Sequence, residues 1–162
     1  MAVRPDIAVE PVPAATEEVR TLIGELEAVL SAEYPPHQRH GLPLEAIFQP
    51  HIRFFLARLD GEAVGCGGVA LLDGFAELKR MYVRDGLRGR GLAPAILARL
   101  ETEARQAGYD LLRLETGTRQ DAAMRFYARQ GFRRCPAFGD YARMAPEAIE
   151  TSVFMEKTLR PE

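Results

Sequence analysis

Residues 77–108 read ELKRMYVRDGLRGRGLAPAILARLETEARQAG. Leu78, Met81 and Val83 form a short apolar run, and Arg84-Asp85-Gly86 ends it, as a strand ends in a turn. Arg88-Gly89-Arg90-Gly91-Leu92-Ala93 then opens directly into a helical segment. Leu92, Ile96, Leu100 and Ala104 share one face at four-residue spacing, with Ala93 and Leu97 flanking them. Pro94 is tolerated because the first helical turn has no internal partner for its missing N–H. Gly108 suits the C-terminal stop. The unit is strand, glycine-rich turn, helix.

Such a turn suits an anion. Glycines without Cβ atoms let main-chain N–H groups approach a ligand, and the following helix aims its free N–H groups and positive dipole end at the same spot. Arg88 and Arg90 add positive charge, so a phosphate or pyrophosphate fits best. A nucleotide P-loop is a weak reading, because Leu92-Ala93 stand where Lys-Ser/Thr should follow the second glycine. A dinucleotide fingerprint is equally weak: Pro94 replaces the third small residue, and no βαβ repeat begins here.

Outward from this unit, the chain reads as one mixed domain spanning 1–162. Ile7 to Pro11 reads as a first strand, and Thr16 as the N-cap of a helix carrying Val19, Leu22, Ile23, Leu26, Val29 and Leu30. Tyr34-Pro35-Pro36 stops that helix. His37 to Gly41 reads as loop, and Leu44 to Phe48 as a short helix. Ile52 to Leu59, the Asp60-Gly61 turn, and Ala63 to Leu72 read as a hairpin. Glu77 to Val83 adds a third strand. After the central helix, Asp110 to Glu115 reads as a buried strand broken by Thr116-Gly117-Thr118. Gln120 to Gln130 reads as a helix capped by Gly131. Phe132 to Cys135 begins a strand, 136–150 is loop-rich, and Thr151 to Leu159 closes the sheet. This order predicts an α+β fold, a mostly antiparallel sheet flanked by helices.

Composition narrows the class. The 162 residues carry 47% hydrophobic and 27% charged side chains and a net charge of −2, ordinary for a globular domain. That charge argues against nucleic-acid or membrane-surface binding, and no apolar run approaches the ~18 residues of a membrane span. The N-terminus MAVRPDIAVEPVPAA is too polar and proline-broken for a signal peptide. Cys66 and Cys135 belong to no metal-ligand pattern and read as unpaired thiols of a reducing cytoplasm. His37 and His40 share a loop with no third ligand, so no metal is expected.

Two motifs carry a family resemblance. Arg88-x-x-Gly91-x-Ala93 is similar to the Arg/Gln-x-x-Gly-x-Gly/Ala motif with which GNAT acetyltransferases bind the pyrophosphate of acetyl-CoA. Some 35 residues on, Phe126-Tyr127-Ala128-Arg129-Gln130-Gly131-Phe132 resembles the same superfamily's Tyr-x-x-x-Gly-Phe pattern. The resemblance covers roughly Ala63 to Leu159. It implies a cytoplasmic N-acetyltransferase that moves an acetyl group from acetyl-CoA to a primary amine of a small molecule or peptide, needing no metal. It also implies cofactor contacts from the backbone of Arg88, Gly89, Arg90, Gly91, Leu92 and Ala93. Met81, Tyr82 and Val83 would lie beside the pantetheine arm, where neighbouring strands splay. Tyr127 matches the tyrosine that protonates the departing sulfur, and Glu77 stands near the place of a catalytic base. Gln120 stands where the family often has Asn. A homodimer through the C-terminal strands is a further family-based expectation.

The acceptor side is thinner. His37, Arg39 and His40 lie in the loop where the superfamily commonly lines its acceptor pocket, and Asp140-Tyr141 falls in the late loop. Arg39 is suited to an acceptor carboxylate, and so to an amino-acid-like amine. Two alternatives stay open: a non-catalytic acyl-CoA-binding regulatory module, and a nucleotide-binding protein using the same turn.

Overall fold

The computed structural model describes residues 6–160; the first five residues of the N-terminal stretch discussed above lie outside them. Among the described residues seven strands form one sheet: β1 (Ile7–Pro11), β2 (Ile52–Leu59), β3 (Glu62–Leu71), β4 (Ala76–Val83), β5 (Leu111–Gly117), β6 (Arg133–Arg134) and β7 (Ser152–Thr158). Their order across the sheet is β1-β2-β3-β4-β5-β7-β6. Every pairing is antiparallel except β4 with β5. The α-helices α1 (Glu17–Glu33), α2 (Leu92–Gln106) and α3 (Asp121–Arg129) pack with it. The α+β expectation holds.

Each face of the sheet is closed by a helix whose periodicity was visible in the chain. α2 buries Leu92, Ile96, Leu97, Leu100 and Ala104 against Phe55, Val69, Leu78, Leu112 and Leu114. Gly67 lets this helix lie close: a Cβ there would stand 2.9 Å from both the Ile96 Cγ2 and the Met81 Sδ. α1 covers the opposite face with Val19, Leu22 and Ile23 against Phe54, Leu56 and Cys66. Its start is capped by Thr16, whose Oγ1 accepts from Val19 N–H at 3.3 Å. A third cluster joins Phe75, Phe138, Tyr141 and Phe154 and pins the segment 136–150 to the sheet.

Several local expectations are corrected. Residues 44–48 make only a 3-10 turn (Leu44–Ala46), and the 37–41 loop begins inside another (Pro36–Gln38). The late loop holds two more, Gly139–Arg143 and Pro146–Ala148. The strand expected at 132–135 shrinks to Arg133–Arg134, which pairs with β7 at the edge of the described sheet. β5 does not break at Thr116 but runs to Gly117, because Thr116 and Gly117 pair with Val153 and Ser152 of β7; the ladder outweighs local turn propensity. Val29 faces outward, beyond the stripe that α1 buries.

Two features of β4 shape everything that follows. Its pairing with β3 slips by one residue, so that Cys66 faces Tyr82 while Gly68 faces Lys79. The extra residue is a β-bulge at Arg80, whose φ is +55°. In addition, β4 pairs with β5 only at Ala76↔Leu112 and Glu77↔Arg113. Beyond Glu77 the two parallel strands part.

Candidate active site

The parting of β4 and β5 opens a cavity of about 150 Å³. One wall is Leu78, Lys79, Arg80 and Met81 of β4. The other is Leu114, Glu115, Thr116 and Gly117 of β5, continued by Gln120, Ala123 and Tyr127 of α3. α1 and the 38–41 loop roof it, and Tyr141 closes it from the late segment. Backbone polar groups that face a sheet neighbour are normally paired. Along this wedge the facing edges of β4 and β5 have no ladder partner, which suits a ligand bearing amides.

Glu77 is the last β4 residue paired to β5, so it stands at the apex of the wedge. It is only 4% exposed, not the solvated strand end that a lone glutamate beside a turn usually is. Its Oε2 accepts from the Tyr141 hydroxyl at 2.7 Å and pairs with Lys79 Nζ at 2.9 Å. Lys79 Nζ also donates to the Tyr141 hydroxyl at 3.2 Å. Both contacts to Glu77 use the same oxygen. Tyr141 is held by Phe138 and Phe154 and by the His40 ring edge. Burial, and next the neighbouring Glu77, push its phenol far above the usual range.

Tyr127 lies on the α3 wall, packed between Phe126 and Phe132. Burial raises its phenol well above the tyrosine value, so it stays protonated and able to donate. Gln120 is the N-cap residue of α3; its side chain makes no capping bond and it lines the cavity. Met81 reaches the cavity, but Tyr82 turns away, donating its hydroxyl to Glu25 of α1 at 2.9 Å. Val83 packs on the α2 side.

At the far end of β4 the 86–91 turn leads into α2. Gly86, Gly89 and Gly91 all have φ between +80° and +87°, values that cost a side-chain-bearing residue about 1–2 kcal/mol. Gly91 is the N-cap and supplies no side-chain bond, so no side chain caps the free N–H groups at the start of α2. Arg88 and Arg90 are exposed beside them. Residues 88–93 thus bring left-handed glycines, an uncapped helix start and two exposed arginines to one place.

On the acceptor side, Arg39, His40 and Tyr141 line the cavity; His37 is exposed and does not. Asp140 is also exposed and pairs with Arg143. His40 Nε2 lies 2.6 Å from the Ala148 carbonyl oxygen, to which it must donate. It therefore anchors the 38–41 loop to the late segment. Lys79, Arg80, Glu115 and Tyr34 are among the lining groups that escaped the sequence reading. Burial pushes the Glu115 carboxyl above the usual carboxylate range, against a 2.8 Å hydrogen bond from Ser152 Oγ and the charges of His40 and Lys79. Tyr34, the C-cap of α1, accepts from Arg119 N–H at 2.9 Å and packs on Gly117. The cysteines are both free. Burial pushes the Cys66 thiol up to about 12, which leaves little thiolate for a covalent mechanism.

Residues 23–132 match the family described as the acetyltransferase (GNAT) family. The chain belongs to the GNAT acetyltransferase family. It is 41% identical over 145 residues to the IAA acetyltransferase of Azospirillum brasilense, covering 88% of this chain and 92% of that one. A Klebsiella pneumoniae structure, proposed to be an acyl-CoA N-acyltransferase, superposes with a TM-score of 0.74 at 34% identity, covering 95% and 98%. A GNAT acetyltransferase from Elizabethkingia anophelis solved with acetyl-CoA bound shares the fold, with a TM-score of 0.65 at 17% identity over 94% and 98%. This GNAT chain is therefore an acyltransferase enzyme. Among its described residues no group of three or more His, Cys, Asp or Glu could hold a metal, and no helix is long and apolar enough to cross a membrane.

Proposed function

We propose that this enzyme transfers the acetyl group of acetyl-CoA to a primary amine by direct attack. The observation that carries the reading is the wedge: two parallel strands that pair at two positions and then part, with Glu77 at the apex and Tyr127 on the wall. The pyrophosphate sits on the main-chain N–H groups of 88–93, and the pantetheine amides pair with the open β4 edge near Met81. Gln120 has both donor and acceptor to offer the cofactor from the α3 wall.

The amine must be neutral to attack, and an alkylamine is mostly protonated at pH 7, with a free pKa of about 10.4. Glu77 takes that proton, directly or through a water. The nitrogen then attacks the thioester carbonyl carbon; as the C–N bond forms and the C–S bond breaks, the nitrogen releases its second proton to solvent. The Tyr127 hydroxyl gives its proton to the departing sulfur. The products are the acetamide and free CoA thiol, and solvent returns the proton from Glu77 to Tyr127.

The test is CoA release from acetyl-CoA across a panel of amines, with Tyr127→Phe as the control. The variant keeps the ring packing with Phe126 and Phe132, so it should bind acetyl-CoA as the wild type does. Its kcat should fall about 100-fold or more, the usual scale for a lost general acid. Unchanged kcat in Tyr127→Phe would remove the proton-donor role.

A further inference from the structure

The bulge at Arg80 has a consequence for the acceptor. In a regular strand Leu78 and Arg80 would share a face. Here Leu78, Met81 and Val83 pack in the cluster with α2, while Arg80 and Tyr82 meet Glu27 and Glu25 of α1, and Glu77 and Lys79 meet each other and Tyr141. The extra residue thus places two consecutive cations on the acceptor face of the wedge. Lys79 is neutralised by Glu77. Arg80 is not matched so well.

The Arg80 side chain is 3% exposed, lines the cavity and pairs through Nη2 with Glu27 Oε1. The same Glu27 also serves Arg39, Nη1 to Oε2 at 3.5 Å. Two guanidiniums therefore share one carboxylate, and that carboxylate is 44% exposed. Arg39 also lines the cavity. Each of the two keeps a buried Nε with no hydrogen-bond partner. Backbone crowding fixes the arrangement: a Cβ on Gly41 would collide with the Arg80 guanidinium. One carboxylate does not neutralise two guanidiniums, and a further carboxylate is the anion whose geometry fits the Nε–Nη edge of arginine.

We propose that Arg80, with Arg39, recognises a carboxylate on the acceptor, so that the substrate is a small amine that also carries a carboxylate. This rests on the acetyltransferase reading above. Glu27 acts as an internal competitor that holds the two guanidiniums in place until the acceptor carboxylate arrives. The carboxylate docks between Arg80 and Arg39 under the 38–41 loop, and the amine points down the wedge toward Glu77.

The experiment compares α-amino acids with their α-carboxamides and with the decarboxylated amines, reading CoA release with the wild type and with Arg80→Gln, Arg39→Gln and Glu27→Gln. Carboxylate acceptors should show kcat/KM at least about 10-fold above their matched carboxamides, as one lost charge-assisted hydrogen bond of 1.5–3 kcal/mol implies. Arg39→Gln, and Arg80→Gln if it folds, should raise KM for carboxylate acceptors at least about 10-fold more than for the matched carboxamides. Glu27→Gln should lower KM for carboxylates, an effect that loss of a merely structural ion pair would not produce. Carboxamides acetylated as well as carboxylates, with KM indifferent to Arg39→Gln and Glu27→Gln, would overturn the inference and leave the acetyltransferase reading standing. No turnover of any member, with no binding of acetyl-CoA, would overturn both.

Discussion

The turn at 86–91 and the segment at 136–150 flank the same wedge and are built in opposite ways. The turn works through its backbone: three glycines at positive φ, exposed arginines, and helix N–H groups with no capping side chain. The late segment works through side chains. Phe138 and Tyr141 sink into an aromatic cluster with Phe75 and Phe154, and the Tyr141 hydroxyl reaches Glu77. A backbone device can be swapped only by changing backbone geometry, and it leaves its mark in the sequence as glycine. A side-chain device depends on tertiary packing, and its residues look ordinary until the fold brings them together.

That contrast can be broken experimentally. Phe138→Ala should have the largest effect, a loss of about 3–5 kcal/mol for a buried aromatic, read as a lower Tm. Below its melting range the variant should still bind acetyl-CoA normally, because the turn does not depend on the late segment. A matching loss of acetyl-CoA affinity would show that the two regions are coupled. Gly91→Val attacks the other region. The left-handed conformation costs a side-chain-bearing residue about 1–2 kcal/mol, so acetyl-CoA affinity should fall about 10-fold by calorimetric titration, while KM for the amine stays put.

The β5 wall between the two regions gives a pH test. Burial raises the Glu115 carboxyl in the folded protein above its unfolded value. The folded state therefore keeps a proton that the unfolded chain has lost, and stability falls as pH rises from the ordinary carboxylate range through the raised one. Glu115→Gln keeps an acceptor for Ser152 and removes this penalty. Its Tm should exceed that of the wild type at pH 8, with the gap closing by pH 4; a gap that widens toward acid would contradict the assignment. The smallest effect belongs to Arg88→Ala and Arg90→Ala. Exposed charges are worth about 0.2–1 kcal/mol each, so acetyl-CoA affinity should drop slightly and the drop should shrink in high salt.

The sequence made the backbone-built half legible. Gly86, Gly89 and Gly91, the apolar face of α2 and the Tyr127 motif all stand where local pattern places them. The side-chain half was read only in fragments. Arg39, His40 and Tyr141 do line the cavity, but His37 does not, and the hydrogen bond of His40 to Ala148 ties together residues 108 apart. Arg80 escaped because strict alternation puts it on the α2 side with Leu78. A signal was nonetheless present: the apolar residues of β4 fall at 78, 81 and 83, and the three-residue step breaks the period of two where the bulge lies. Glu115 and Tyr34 left no such trace. One ends a buried strand that runs further than its turn residues suggest, and the other caps a helix whose end meets β5 only in the folded protein.

The most direct test of the central claim is thermal unfolding with saturating acetyl-CoA, beside matched samples with ATP and with NAD. At 100-fold excess over Kd, binding to the native state adds about 2.7 kcal/mol, a rise of roughly 5–10 °C for a domain of this size. The account predicts that rise with acetyl-CoA alone. A rise with ATP or NAD and none with acetyl-CoA would contradict it, and would mean that the 86–91 turn and the β4/β5 wedge serve a different ligand.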